Sequence, residues 1–302
     1  MTLHAIVAAL GGDLYCGGAR ANIPAPGHSP SDRSVSLLLS GDRLIVHSFG
    51  AAAWTAVRDH LRALGLIDGE GRLLNGARRT ASSPADLRPD RPARIATARR
   101  LWEDAGPITP PTLSHRHLAV RAVGANPCLI RSLRHHGAAP LSVYRSGGPR
   151  RPALVAAIAA PDGALTAVEL TYLAAGGRRD ERLRAPRKMV GLVPPGSAVR
   201  LAPASVELLV GEGVMSVLSA SERLAVPAWA LLSAHNLAAW SPPPETRRVV
   251  VAADRGAPGE SAADRLLARL QRRGVRAVIA LPPGDAEDWN AFAIAQRRKE
   301  GS

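Results

Sequence analysis

The stretch from Val206 to Asn290 constrains the fold most, because short apolar runs alternate there with helical patterns and acidic residues stand where key runs end. Val206-Glu207-Leu208-Leu209-Val210 stops at Gly211-Glu212-Gly213. A helical pattern follows, in which Val214, Met215, Val217, Leu218 and Leu224 can share a buried face. Ala228 to Leu232 is a second buried run, and Arg247 to Ala253 is a third that ends at Asp254. Glu260 to Arg273 sets Ala263, Leu266, Leu267 and Leu270 at helical spacing and closes on Gly274, a residue favoured at helix C-termini. Val275 to Leu281 is the last run, before an acidic turn and helix over Asp285 to Gln296. Alternation of this kind implies an α/β fold, a parallel four-stranded sheet with helices on both faces.

In such sheets ligands bind outside the carboxyl ends of the strands. Glu212 and Asp254 both fall there, each just after an apolar run. Carboxylates brought together repel, and a divalent cation compensates them. Magnesium, or manganese in its place, takes one or two carboxylates and completes its shell with phosphate and water. The residues therefore point to a metal-assisted site acting on phosphates. The competing reading is that each acid merely caps the helix it precedes. A glycine on either side of Glu212 favours close approach of a ligand to the backbone.

Val210-Gly211-Glu212-Gly213-Val214-Met215, followed by Ala252-Ala253-Asp254-Arg255-Gly256-Ala257-Pro258-Gly259, resembles the toprim domain of primases and topoisomerases. The resemblance implies that Glu212 and Asp254 hold magnesium. Asp288-Trp289-Asn290 is similar to a segment near the end of phage-type primase toprim domains, which adds Asp288 as a catalytic and metal-binding candidate. Two positions depart from the family. Gly256 stands where the second acid of Asp-x-Asp is expected, and Ala291 where an acid often follows Trp-Asn. Their loss removes ligands for one of two metals and leaves a single-metal site.

The chain has 302 residues and a formal net charge of +14, a basic excess that points to a polyanionic partner. A bland source competes, since Lys188 and Lys299 are the only lysines and the arginine-, alanine- and glycine-rich composition also follows from a GC-rich coding sequence. Cys16 and Cys128 are too few for a disulfide framework. No apolar run approaches the ~20 residues of a membrane helix, and Met1-Thr2-Leu3-His4 lacks the form of a signal peptide, so a cytoplasmic protein without membrane contact is expected.

Residues 1–73 resemble, in part, the zinc-ribbon domain at the front of phage-type primases: two small strands and a helix around Cys16 and His28. Thr2 to Leu10 and Trp54 to Leu64 read as helices, and Arg43 to Phe49 as a strand. Structural zinc needs four ligands. The cysteines that the family carries near Ser48 and around Ala51 and Ala52 are absent, so Cys16 and His28 read as remnants of a lost zinc site. A zinc completed by His47 is the alternative. Arg20, Arg33 and Arg43 remain as possible DNA contacts.

Residues 74–94, rich in serine, proline and arginine, read as a linker. Residues 95–203 read as an α+β region that resembles the part of phage-type primases preceding toprim, and the resemblance implies a toprim domain over 204–302. Leu154 to Ala160 and Ala164 to Leu173 read as a hairpin turning at Pro161-Asp162-Gly163. Arg178 to Lys188 follows as a basic segment, within which Arg182, Arg184, Arg187 and Lys188 are candidates for nucleic-acid or nucleotide binding. The pairs His115/His117 and His135/His136 lack metal-ligand partners and read as surface or nucleic-acid-facing residues, and Ser233 reads as a helix cap.

Together these features imply a toprim-type DNA primase or primase-derived nucleotidyltransferase of a mobile element or phage. It would act on single-stranded DNA and nucleoside triphosphates. No Gly-x-x-x-x-Gly-Lys-Ser/Thr loop occurs, so a replicative helicase would be a separate chain. The alternatives are a catalytically degenerate, nucleic-acid-binding replication accessory protein and a toprim nuclease.

Overall fold

The computed structural model describes residues 3–29, 32–49, 53–74, 89–145 and 147–300. The chain divides into two units, Met1–Pro89 and Asp90–Ser302. The first contains helix α1 (Leu3–Leu10), strands β1 (Asp13–Tyr15), β2 (Arg20–Ile23), β3 (Val35–Ser40) and β4 (Arg43–Ser48), and helix α2 (Trp54–Ala63). Its sheet is antiparallel in the order β1-β2-β3-β4, so four strands stand where two were expected. The missed strands are short or lack clean alternation: β1 and β2 flank Cys16-Gly17-Gly18, and β3 carries three leucines in a row. Leu3, Ile6, Val35, Leu37, Val57 and Leu61 form the core. Trp54 and Leu64, expected on the buried face of α2, are about half exposed, Trp54 beneath Arg58.

Cys16 is exposed in a short 3-10 turn, and His28 Nδ1 faces Asp32 Oδ2 at 3.1 Å. Asp32 is held at about 2 by the Ser34 hydroxyl and the Ala25 amide. His47 packs against the Phe49 ring, 4.5 Å between centroids. Ala51 and Ala52, like residues 75–88 of the expected linker, lie outside the described residues.

The second unit opens with α3 (Arg91–Glu103), which starts inside the stretch read as linker because Asp90 caps it and Pro92 pre-sets its first turn. Helix α4 (Leu113–Val120) follows, capped by Thr112. Strands β5 (Leu133–Pro140), β6 (Arg150–Ala159), β7 (Leu165–Tyr172) and β8 (Arg187–Gly191) make an antiparallel sheet in that order. The expected hairpin is β6–β7, with Asp162 accepting the Ala164 amide at its turn. Strand β5 escaped the sequence reading because a bulge between His136 and Ala139 breaks its alternation. Strand β8 grows out of the end of the basic segment.

The remaining elements are β9 (Val199–Arg200), β10 (Glu207–Gly211), α5 (Val214–Leu224), β11 (Ala228–Ala230), α6 (Ala234–Ala239), β12 (Arg248–Ala252), α7 (Ala257–Arg272), β13 (Arg276–Ala280) and α8 (Trp289–Glu300). Strands β13-β12-β10-β11 are parallel, as expected, and the two-residue β9 adds an antiparallel edge. Burial on both faces explains the unbroken apolar runs. Leu208 and Val210 of β10 join α6 and α7 residues such as Leu237, Leu266 and Leu270 in one core. Leu209 points the other way, into a core that takes Val217 and Leu218 of α5, Trp289 of α8, and Leu118, Leu133, Leu154 and Ile158 of the preceding region. Gly274 follows the last turn of α7 at φ 72°, as expected of a C-terminal glycine. Leu224, expected on the buried face of α5, is 37% exposed at that helix's end. Among the described residues no helix is long and apolar enough to cross a membrane.

Candidate active site

After β10 the chain moves to β11 on one side, and then returns to β12 on the other. The crevice where strand order reverses is where open parallel sheets bind ligands. Gly211 and Ala252 are register partners, so Glu212 and Asp254 leave the sheet at the same end on neighbouring strands. A cavity of about 540 Å³ opens there, lined by Glu212, Asp254 and Asp288 together with groups from α4 and the antiparallel sheet. Its volume lies within the range of small-molecule sites.

The capping alternative fails for Glu212 and Asp254, the two acids for which it stood. Gly213 precedes α5 without any side-chain cap, so Glu212 caps nothing. Asp254 Oδ1 accepts the Ser216 hydroxyl at 2.7 Å instead of an amide of α7. Asp288 does cap its helix, taking the Ala291 amide at 2.6 Å. Burial, and then repulsion from Asp254, raise the Glu212 carboxyl above its ordinary range, while Arg187 opposes them. Burial also raises Asp254, against the Ser216 hydrogen bond that lowers it, and Asp288 adds to the rise. Two half-buried carboxylates that resist ionising side by side are a donor set suited to a hard divalent cation. Among the described residues no group of three or more His, Cys, Asp or Glu side chains is arranged to hold a metal. The pair therefore stands without a preformed third ligand.

Two glycines shape this end of the sheet. A Cβ on Gly259 would lie 2.7 Å from the Asp254 carbonyl oxygen, so the start of α7 can approach Asp254 only with glycine there. Gly256 has φ 109° and ψ 150°, a backbone conformation essentially confined to glycine. Arg255, between Asp254 and Gly256, donates to the carbonyls of Pro282 and Gly284, and its own amide to Glu287 O. It thereby fixes the turn that carries Asp288, a function its sequence context did not reveal.

The basic candidates separate. Arg187 lines the cavity. Lys188, one residue on along β8, turns to the other face, where Nζ donates to Leu141 O and lies 5.7 Å from the Tyr172 ring centroid. Arg182 is exposed and donates to both oxygens of the buried Asp180. Arg184 is exposed on the same loop. Arg178 and Arg179 line the cavity instead, with Arg121 from the end of α4. Glu169 of β7 also lines it, buried and raised by that burial, with Arg187 Nε 3.8 Å away. An acid inside the apolar run Ala167-Val168-Glu169-Leu170 was the available signal for it.

Two of the four paired histidines, His117 and His136, are buried rather than at the surface, and His117 also lines the cavity. His117 is buried and donates from Nδ1 to Gly177 O at 2.7 Å, and His136 is buried with Nδ1 accepting the Ala138 amide. His135 Nδ1 meets the Ser114 hydroxyl at 2.8 Å. Burial lowers the pKa of all three.

The toprim domain family matches residues 207–298. The C-terminal part of the chain is a toprim domain. A second family, described as a domain of unknown function (DUF7146), matches residues 92–201. None of the curated proteins matches the chain. Among solved structures, it is similar to the zinc-binding and RNA polymerase domains of the Aquifex aeolicus primase, at 13% identity over 99% of this chain and 82% of that one, with a TM-score of 0.44. A DnaG primase catalytic domain bound to single-stranded DNA gives 16% identity over 70% and 77% of the two chains, with a TM-score of 0.46. The primase fragment of the bacteriophage T7 primase-helicase protein gives 13%, 59%, 70% and 0.38. In this toprim domain the Asp-x-Asp position held by Gly256 carries a backbone that an aspartate would adopt only under strain.

Proposed function

We propose that the toprim domain performs magnesium- or manganese-dependent nucleotidyl transfer of the DNA-primase type, on single-stranded DNA with nucleoside triphosphates. The observation that carries this reading is the pair Glu212 and Asp254, on adjacent parallel strands at the switch point, facing arginines across one cavity. Glu212 and Asp254 would hold the ion, which supplies charge neutralisation at the reacting phosphate when bound. Asp288, engaged at the start of α8, would add negative charge beside it. Ser216 fixes the rotamer of Asp254, so the carboxylate need not reorganise on loading. Arg179 and Arg187 would take phosphate oxygens of the nucleotide, each by its planar fork. Of the net charge, the unit Asp90–Ser302 holds 30 basic against 18 acidic residues, which suits a nucleic-acid partner lying along the same unit.

A second reading, a binding-only replication accessory protein, is favoured by Gly256, whose backbone has moved away from what an acid there would need. One assay separates the two: primer synthesis on single-stranded DNA with magnesium or manganese, run beside Asp254→Asn. Products from the parent and none from the variant support transfer. Salt-sensitive DNA binding without products supports the second reading.

A further inference from the structure

The end of α4 is held from the toprim domain. Arg121 closes this helix, and Ala122 follows at φ 55° as the chain turns away. Helices leave their last carbonyls without intrahelical partners. The carbonyl of Arg121 accepts a hydrogen bond from Asn290 Nδ2 at 2.6 Å, across 169 residues of sequence. The same amide group donates to Ser219 Oγ at 2.9 Å, and Asn290 is fully buried. Both Nδ2 hydrogens go to fixing where α4 stops against α5 and α8, while among the described residues the buried Oδ1 has no hydrogen-bond partner.

The side chain that this arrangement places is unusual. Arg121 lines the cavity with Glu212, Asp254 and Asp288. Among the described residues its buried Nε has no hydrogen-bond partner. Burial, with Arg179 and Arg187 nearby, works against its charge, and Asp288 works for it. One Asp288 oxygen is already taken by the Ala291 amide. A partly desolvated guanidinium that lines the cavity among other arginines is a receptor for an oxyanion with several acceptor atoms.

We infer that Arg121 receives a phosphate of the nucleoside triphosphate beside Glu212 and Asp254, and that Asn290 is the residue that positions it. The inference rests on the nucleotidyl-transfer reading above. It gives the Asp-Trp-Asn segment a division of labour. Asp288 balances the charge of Arg121, and Asn290 holds its backbone.

The test is the affinity of the full chain for a fluorescent, non-hydrolysable ATP analogue, measured by anisotropy in excess EDTA and again in magnesium. R121A should weaken binding on the order of 10- to 100-fold in both conditions, and R121K by less, since it keeps the charge and loses the fork. E212Q should keep at least the parent's metal-free affinity and lose the gain from magnesium. N290A should weaken binding in the parent background and add nothing to R121A, because a positioning residue acts only through what it positions. N290S, which keeps a donor, replaces it if N290A does not fold. R121A binding like the parent overturns the inference. Additive losses in R121A/N290A overturn the positioning role. A parent that binds the analogue in neither condition overturns the inference together with the reading beneath it. If E212Q still gains from magnesium while R121A is weakened, the metal assignment fails and Arg121 stands.

Discussion

Ser216→Ala isolates one contact in the site without disturbing the fold. Ser216 is buried on α5 and its hydroxyl donates to Asp254 Oδ1 at 2.7 Å. Alanine is the better helix former, so α5 itself loses nothing. A hydrogen bond to a charged group contributes about 1.5–3 kcal/mol. Asp254 is only partly removed from water, and a solvent molecule can replace the hydroxyl in part, so the lower figure applies. About 1.4 kcal/mol corresponds to one pKa unit. The Asp254 carboxyl already sits above its ordinary value of 3.8, with the Ser216 bond pulling it down. Removing that bond raises it further. Activity that needs ionised Asp254 should then show its acid limb displaced to higher pH, with the plateau at high pH falling less. The assay is magnesium-dependent primer synthesis from pH 5.5 to 9, with Ser216→Thr as the variant that keeps the hydroxyl. An acid limb in S216A that coincides with the parent's would refute the role given to this contact.

Under the proposed metal assignment magnesium should raise the Tm of the parent, and Glu212→Gln should abolish both that rise and metal-dependent activity, as read by thermal melts with EDTA as the reference. The raised Glu212 carboxyl makes the metal-free parent lose stability as pH climbs through its folded pKa, whereas below about its ordinary 4.5 the penalty is absent. E212Q should therefore be more stable than the metal-free parent at pH 8 and equal to it near pH 4, which urea midpoints will show. Gly256→Asp should not restore a second metal and should cost about 1–3 kcal/mol of stability, because the residue must hold φ 109°. Urea denaturation unchanged by that substitution would show that the loop relaxes freely. His117, buried and held below its ordinary 6.5, favours the unfolded state as pH falls through that value. His117→Gln should flatten this part of the pH profile, and parallel profiles for parent and variant would count against a buried neutral imidazole.

The parallel sheet was legible because its strands are apolar on both faces. Leu208 and Leu209 read as one run although they enter different cores. The acids at the strand ends could be placed from the same logic, since a switch point follows from strand order and strand order brings Gly211 beside Ala252. Direction was harder to read. Arg187 and Lys188 are neighbours in sequence and lie on opposite faces of a strand that the basic composition disguised as a loop. Arg121 carried no local signal, because what makes it part of the site is a hydrogen bond from Asn290 across the fold. Strand β5 was hidden by its own bulge, and the four-stranded sheet of residues 13–48 by strands too short or too uniformly apolar to show a period.

The segments 92–201 and 207–298 match two separate families, yet Leu118, Leu133 and Ile158 of the first share one core with Leu209, Val217 and Trp289 of the second. A cut near residue 204 would open that core rather than separate two finished bodies. The toprim segment is thus a unit of inheritance without being a unit of folding. Grafting it from one relative onto another would demand matching apolar surfaces before any catalytic residue came into question.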